Sequence, residues 1–270
     1  MSTFFKRLLS GIMLILIAGF VLFQGSIWLI SITTAVSLVC AYELLRAIRL
    51  HRERIGIIAY VFIIVYNFML YMEWEKWFVA LFIALLLILL TFYVGRYPKY
   101  TTEQITMIFF IFFYTGVLLS YIYQVRYLEN GRIIVWLVLI SAWGSDTFAY
   151  IVGMMVGKHK LQSELSPKKT IEGCIGGVIG AALIGFLFSY AYPQGDSLLL
   201  SPHISFPIIC TVGSVVSQVG DLAASAVKRN HGVKDYGDII PGHGGILDRF
   251  DSILFVSPVV YYLLVLMFKP

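Results

Sequence analysis

Between Asp221 and Asp251 the chain interleaves carboxylates with cations: Asp221, Lys228, Arg229, Lys234, Asp235, Asp248, Arg249 and Asp251. That mixture suits phosphate chemistry. Hard Mg²⁺ takes carboxylate oxygens and leaves its other positions to waters or substrate phosphates. Lys and Arg neutralise phosphate oxygens, and the metal polarises the phosphorus under attack. On a helix, Asp221, Ser225 and Lys228 are spaced i, i+4, i+7 and line one face. Asp248 and Asp251, three apart, also share a face if a helix has begun by then. Gly242, Gly244 and Gly245 in "PGHGG" permit close backbone approach and positive φ, a way to wrap a phosphate. His243 among them reads more simply as a loop histidine than as a ligand or base. A solvated loop of paired charges explains the loop residues. It does not explain Asp221, which sits inside an apolar run.

Two upstream stretches add to this set. In "SAWGSDTFAYIVGMMVGKHK", residues 141–160, Asp146 lies within an apolar span, where a charge is costly unless it faces protein, water or an ion. Ser145, Ala149, Gly153 and Gly157 recur every four residues, a pattern that lets another helix approach closely. In "SPKKTIEGCIGG", residues 166–177, Ser166-Pro167 reads as a turn into a helix, with Lys168, Lys169 and Thr170 near its first turn. Exposed N–H groups and the helix dipole favour an anion there. An ordinary basic membrane anchor explains the lysines equally well. Glu172 in the same turn reads as a helix cap and not as a catalytic acid.

These residues must be positioned by membrane helices. Hydrophobic residues make up 59% of the 270 and charged ones only 13%, against about 25% charged in soluble domains. A helix needs about 20 apolar residues to cross a bilayer. On that measure nine spans are expected, near 8–24, 26–45, 56–72, 77–95, 104–123, 133–153, 171–192, 206–226 and 252–268. The expected fold is all-α and polytopic, because a spanning backbone must satisfy its own polar groups. Lys6-Arg7 before an apolar stretch resembles a signal peptide, but no small-residue cleavage site follows, so an uncleaved first span is expected.

Charge placement orients the spans. With the N-terminus cytoplasmic, sixteen of the 20 Lys and Arg residues fall on the inner side, as the positive-inside rule requires. Only Lys76, Arg126, Arg132 and Lys269 lie outside. The net charge of +5 then reflects anionic lipid rather than nucleic acid. Cys40, Cys174 and Cys210 lie far apart in apolar runs and suggest neither a metal spacing nor a disulfide framework. Residues 1–132 read as a lipid-embedded scaffold of spans with few ionisable groups. Residues 133–270 read as the catalytic region, with acids inside spans, glycine steps and polar inner loops.

The stretch "SAVKRNHGVKDYGDIIPGHGGILDRFD" resembles the signature of the phosphatidate cytidylyltransferases, or CDP-diacylglycerol synthases. Ser225, Lys228, Arg229, Lys234, Asp235, His243, Gly244, Gly245, Asp248, Arg249 and Asp251 fall in its fixed positions. "SDTFAYIVG" with "GKHK", and "SPKKTIEG", look like the family's upstream motifs. The resemblance implies transfer of a cytidylyl group from CTP to phosphatidic acid at the inner membrane face, with Mg²⁺. It further implies Asp221 and Asp248 as ligands of a shared metal, with Asp146 and Asp251 in support. Lys228, Arg229, Lys234, Arg249 and, more weakly, Lys168 and Lys169 would face the triphosphate and lipid phosphate. A homodimer is one expected assembly. The competing readings are a CTP-dependent polyprenol or phytol kinase and, from another class, an ion-coupled secondary transporter.

Overall fold

The chain is all-α and polytopic, and the computed structural model describes residues 18–162, 165–193, 198–239 and 244–269. The long helices are α1 Ser26–Ala47, α2 Ile55–Tyr71, α3 Phe78–Gly95, α4 Thr102–Tyr127, α5 Gly131–Val156, α6 Ile171–Phe188, α7 Pro202–Asn230 and α8 Leu247–Met267. Among the described residues, seven helical segments are long and apolar enough to cross a membrane, and the 17-residue α2 is a shorter apolar helix. Most of the expected first span lies outside the described residues; 18–24 is helical. Several helices run past their apolar stretch. In particular, α7 continues to Asn230, so Lys228 and Arg229 ride its last turn, where cations complement the helix dipole.

The chain divides into two compact units, one of Met1–Ser120 with Asp235–Asp248, the other of Tyr121–Lys234 with Arg249–Pro270. The first unit packs around rings. Tyr66, Phe78, Phe82, Phe112 and Phe113 have centroids 4.7–6.4 Å apart in tilted, stacked and edge-on pairs, geometries that suit the aromatic quadrupole. A π-helical turn at Phe112–Val117 interrupts α4. Helix α3 buries only Leu85 and Leu89; its Val79, Ile83, Leu86, Leu87, Leu90 and Val94 stay exposed, as a surface solvated by lipid tails would be. At its start α4 carries a capping box, with Gln104 N–H donating to Thr101 Oγ1 and Thr101 N–H to Gln104 Oε1.

In the second unit the four-residue repeat does serve as a packing seam. A Cβ on Gly173 would lie 2.7 Å from the Ala149 carbonyl oxygen, and one on Gly177 would lie 2.9 Å from that of Ser145. Small residues on both helices let α5 and α6 meet backbone to backbone. Polar side chains then tie the helices together, since hydrocarbon offers no other partner: Ser214 Oγ donates to Ser145 Oγ at 2.7 Å, and Gln218 Nε2 to the Cys174 carbonyl at 3.0 Å. The only paired strands described are β1 Lys160–Gln162 and β2 Ser166–Thr170, an antiparallel hairpin between α5 and α6.

Candidate active site

The second unit brings together ionisable groups that the sequence scatters over about a hundred residues. Lys169 on β2 forms an ion pair with Asp221 on α7, both side chains about one-quarter exposed. Asp146 follows the π-helical turn Ile140–Gly144 in α5 and has an open face. It lies within electrostatic reach of Lys169, Asp221 and Arg249. Asp251, 6% exposed on α8, is within reach of Asp221, Lys228 and Asp146, and accepts the Ser252 N–H at 2.8 Å. Lys228 is itself buried at the end of α7. Three carboxylates and three cations thus meet where α5, β2, α7 and α8 approach one another.

Other expected residues stand further out. Ser225 is half-buried on α7, while Lys168, Lys234 and Asp235 are exposed. Arg229 is exposed and donates to the Val233 carbonyl at 3.4 Å. Gly242 and His243 lie outside the described residues.

The expected helical setting of Lys168 and Lys169 is not what forms. Both sit on strand β2, and α6 starts at Ile171. Pro167 disfavours helix at Ser166, and Thr170, extended at φ −122° and ψ 153°, caps the helix by accepting the Gly173 N–H at 3.1 Å. Glu172 is therefore not the cap. Its carboxylate accepts the backbone N–H groups of Lys158 and His159, and its Oε1 lies 2.6 Å from His159 Nδ1, so it closes the hairpin.

Asp248 is found in the other unit. Its Oδ2 accepts N–H groups from Tyr236 at 2.9 Å and Gly245 at 3.0 Å, joining the two ends of the Asp235–Asp248 loop. Gly244 takes φ +82° beside it, the backbone conformation for which glycine was expected there. The same loop engages a residue the sequence reading passed over. Glu43 on α1 is 1% exposed and accepts the N–H groups of Ile246 and Leu247 at 3.0 and 2.7 Å. The signal was present in "CAYELLRA": an acid within an apolar span, the feature that singled out Asp146.

Among the described residues, no three His, Cys, Asp or Glu side chains converge as a ready-made metal cage. Mg²⁺ does not need one, since one or two carboxylates and substrate phosphates usually hold it. Asp221 and its neighbours Asp146 and Asp251 fit that requirement. They offer only oxygen donors, the kind of ligand Mg²⁺ takes, although Lys169, Lys228 and Arg249 already offset their charge.

The model of the cytidylyltransferase family matches residues 5–267. A phosphatidate cytidylyltransferase of Bacillus subtilis (strain 168) is 35% identical over 271 residues, covering 97% of each chain. One of Staphylococcus saprophyticus is 37% identical over 183 residues, 68% of each chain, and one of Staphylococcus epidermidis is 43% identical over 155 residues, 56% of each. With the family's pattern running along nearly its whole length, this chain belongs to the cytidylyltransferase family.

Proposed function

We propose that this chain transfers the cytidylyl group of CTP to phosphatidic acid, giving CDP-diacylglycerol and pyrophosphate. One observation supports the reading above the rest: Asp146, Asp221 and Asp251, on membrane helices, gather with Lys228 and Arg249 and with Lys169 on strand β2. In the proposed reaction a phosphate oxygen of the lipid attacks the α-phosphorus of CTP. The bond from that phosphorus to the oxygen bridging to the β-phosphate breaks, and pyrophosphate leaves with its electron pair. Nucleophile and leaving group are already anionic, so no strong base is required. Positioning and charge neutralisation carry the rate.

The roles follow from chemistry. Lys169, Lys228 and Arg249 would offset the phosphate charges, and Lys169 would exchange Asp221 for phosphate oxygen when substrate enters. Asp221, with Asp146 and Asp251 in support, would hold Mg²⁺. Asp248 is proposed as a further ligand, although its Oδ2 already accepts two backbone N–H groups. When bound, the metal would neutralise the triphosphate and polarise the reacting phosphorus. The basic loops and the N-terminus would face the cytoplasm, the side from which CTP comes, as the placement of Lys and Arg suggests.

The test uses purified protein in detergent with lipid and CTP labelled at either phosphorus. The α label should enter an organic-extractable lipid and the γ label should leave as pyrophosphate. Diacylglycerol, which lacks the nucleophilic phosphate, should be inert. Entry of the γ label into lipid would instead identify a lipid kinase, and transfer of neither label would defeat the proposal.

A further inference from the structure

We infer that Glu43 is a positioning residue for this transfer, reaching from α1 to set the loop that delivers Asp248 and Arg249. The inference rests on the proposed reaction for its kinetic consequence, but its geometry stands alone. The first N–H groups of a helix have no partner within it. At the start of α8 the N–H of Leu247, its first residue, and that of Ile246 just before it donate to separate oxygens of the Glu43 carboxylate, a residue 203 or more positions earlier in the chain. An anion at that end also complements the helix dipole. Leu247 is followed directly by Asp248 and Arg249, so the backbone that carries them is pinned at its origin.

Two glycines make room for this carboxylate. A Cβ on Gly245 would lie 2.6 Å from both Glu43 oxygens, and a Cβ on Gly237 would also collide with Oε1. The two ends of the loop therefore close around Glu43. Asp248 Oδ2 joins the same ends through the N–H groups of Tyr236 and Gly245. A leucine would fill a buried position on α1 with no cost of burying charge. Only a carboxylate presents two acceptors to two neighbouring N–H groups, because a glutamine would turn its NH₂ against one of them.

The experiment compares the purified full chain with E43Q. Loss of an outer partner that orients working groups typically costs roughly 10–100-fold. E43Q is expected to lose kcat in that range per folded molecule, with the KM for CTP little changed, since the loss lies in aligning groups for the transition state. A purely structural role would instead lower the yield of folded protein and leave kcat of the surviving molecules intact. That result overturns the inference. Should E43Q fail to fold, Gly245→Ala retains Glu43 but displaces its carboxylate; it is expected to show the same loss, and full turnover there overturns the inference. Amide exchange at Ile246 and Leu247 reads the clasp without any substrate, and should quicken in either variant. Unchanged exchange overturns the inference even if the wild-type chain proves not to transfer a cytidylyl group, an outcome that refutes the proposed function instead.

Discussion

In the unit built on α1 to α4, Glu43 and Asp248 aim their oxygens at backbone N–H groups of the Asp235–Asp248 loop. In the other unit, Asp221 faces the ammonium of Lys169, and Asp251 lies close to Lys228. Backbone donors cannot leave; their hydrogen bonds hold the described ends of the loop, at Tyr236 and Gly245–Leu247. A lysine stem has four rotatable carbons and a mobile charge, so its carboxylate can exchange that partner for an arriving ligand. On the proposed function, Glu43 would set geometry through the backbone, while Asp221 would keep a partner that an arriving ligand can displace.

The sharpest test of that contrast is Asp221→Asn. It keeps the shape of the side chain and removes the charge opposite Lys169, so turnover should fall by roughly 10²–10³-fold, the scale for one missing electrostatic contact in a transition state. Folded yield in detergent should persist. Near-normal turnover would mean that the Lys169 pair is structural and that the contrast fails.

Asp248 lets the two roles be separated at one position. Asparagine retains a carbonyl oxygen for the Tyr236 and Gly245 N–H groups; alanine does not. Both variants should lose roughly 10-fold or more in turnover if the charge matters as well as the shape. Only Asp248→Ala should also speed amide exchange at Tyr236 and Gly245. A fully active Asp248→Asn would make Asp248 a loop clasp alone and place it wholly beside Glu43.

The platform beneath the cation-paired set can be disturbed without touching a charge. Gly177→Val would push α6 away from the Ser145 carbonyl, and overpacking of this kind costs about 1–3 kcal/mol. The expected result is a lower thermal midpoint in detergent. An unchanged midpoint would show that the seam between α5 and α6 is loose.

Glu53 provides the smallest effect: its side-chain partners, Lys99 and Tyr100, lie in the connection between α3 and α4. Lys99 Nζ at 2.7 Å, and then the Tyr100 hydroxyl at 2.9 Å, keep its carboxyl below the usual range, while Glu53 raises the Lys99 ammonium above its own. The carboxyl's contribution is therefore present above the unfolded value of about 4.3 and is lost as pH falls through the depressed folded value. At the alkaline end, the ammonium's contribution is present below the ordinary lysine value and is lost as pH rises through the raised one. Both groups are substantially exposed, so screening keeps the effect small. Glu53→Gln should lower the thermal midpoint slightly near neutral pH and not at all in strong acid. A large effect on turnover would contradict a purely structural role for the Glu53–Lys99 pair.

Long apolar runs were enough to read an all-α polytopic chain, because a bilayer forces each crossing backbone to satisfy itself. Spacing alone also foretold the small-residue seam on α5 and the shared face of Asp221, Ser225 and Lys228, since helical periodicity is local. Contacts between distant segments were not legible in this way. Whether Lys169 stands on a helix or a strand turned on the Thr170 cap and the pairing of β2 with β1. Its partnership with Asp221 spans 52 positions that no periodicity connects. Glu43 was visible as an acid in an apolar run, but its partners are backbone N–H groups, which every residue except proline carries. Sequence therefore shows that a buried carboxylate needs donors, and only the tertiary fold decides that Ile246 and Leu247 supply them.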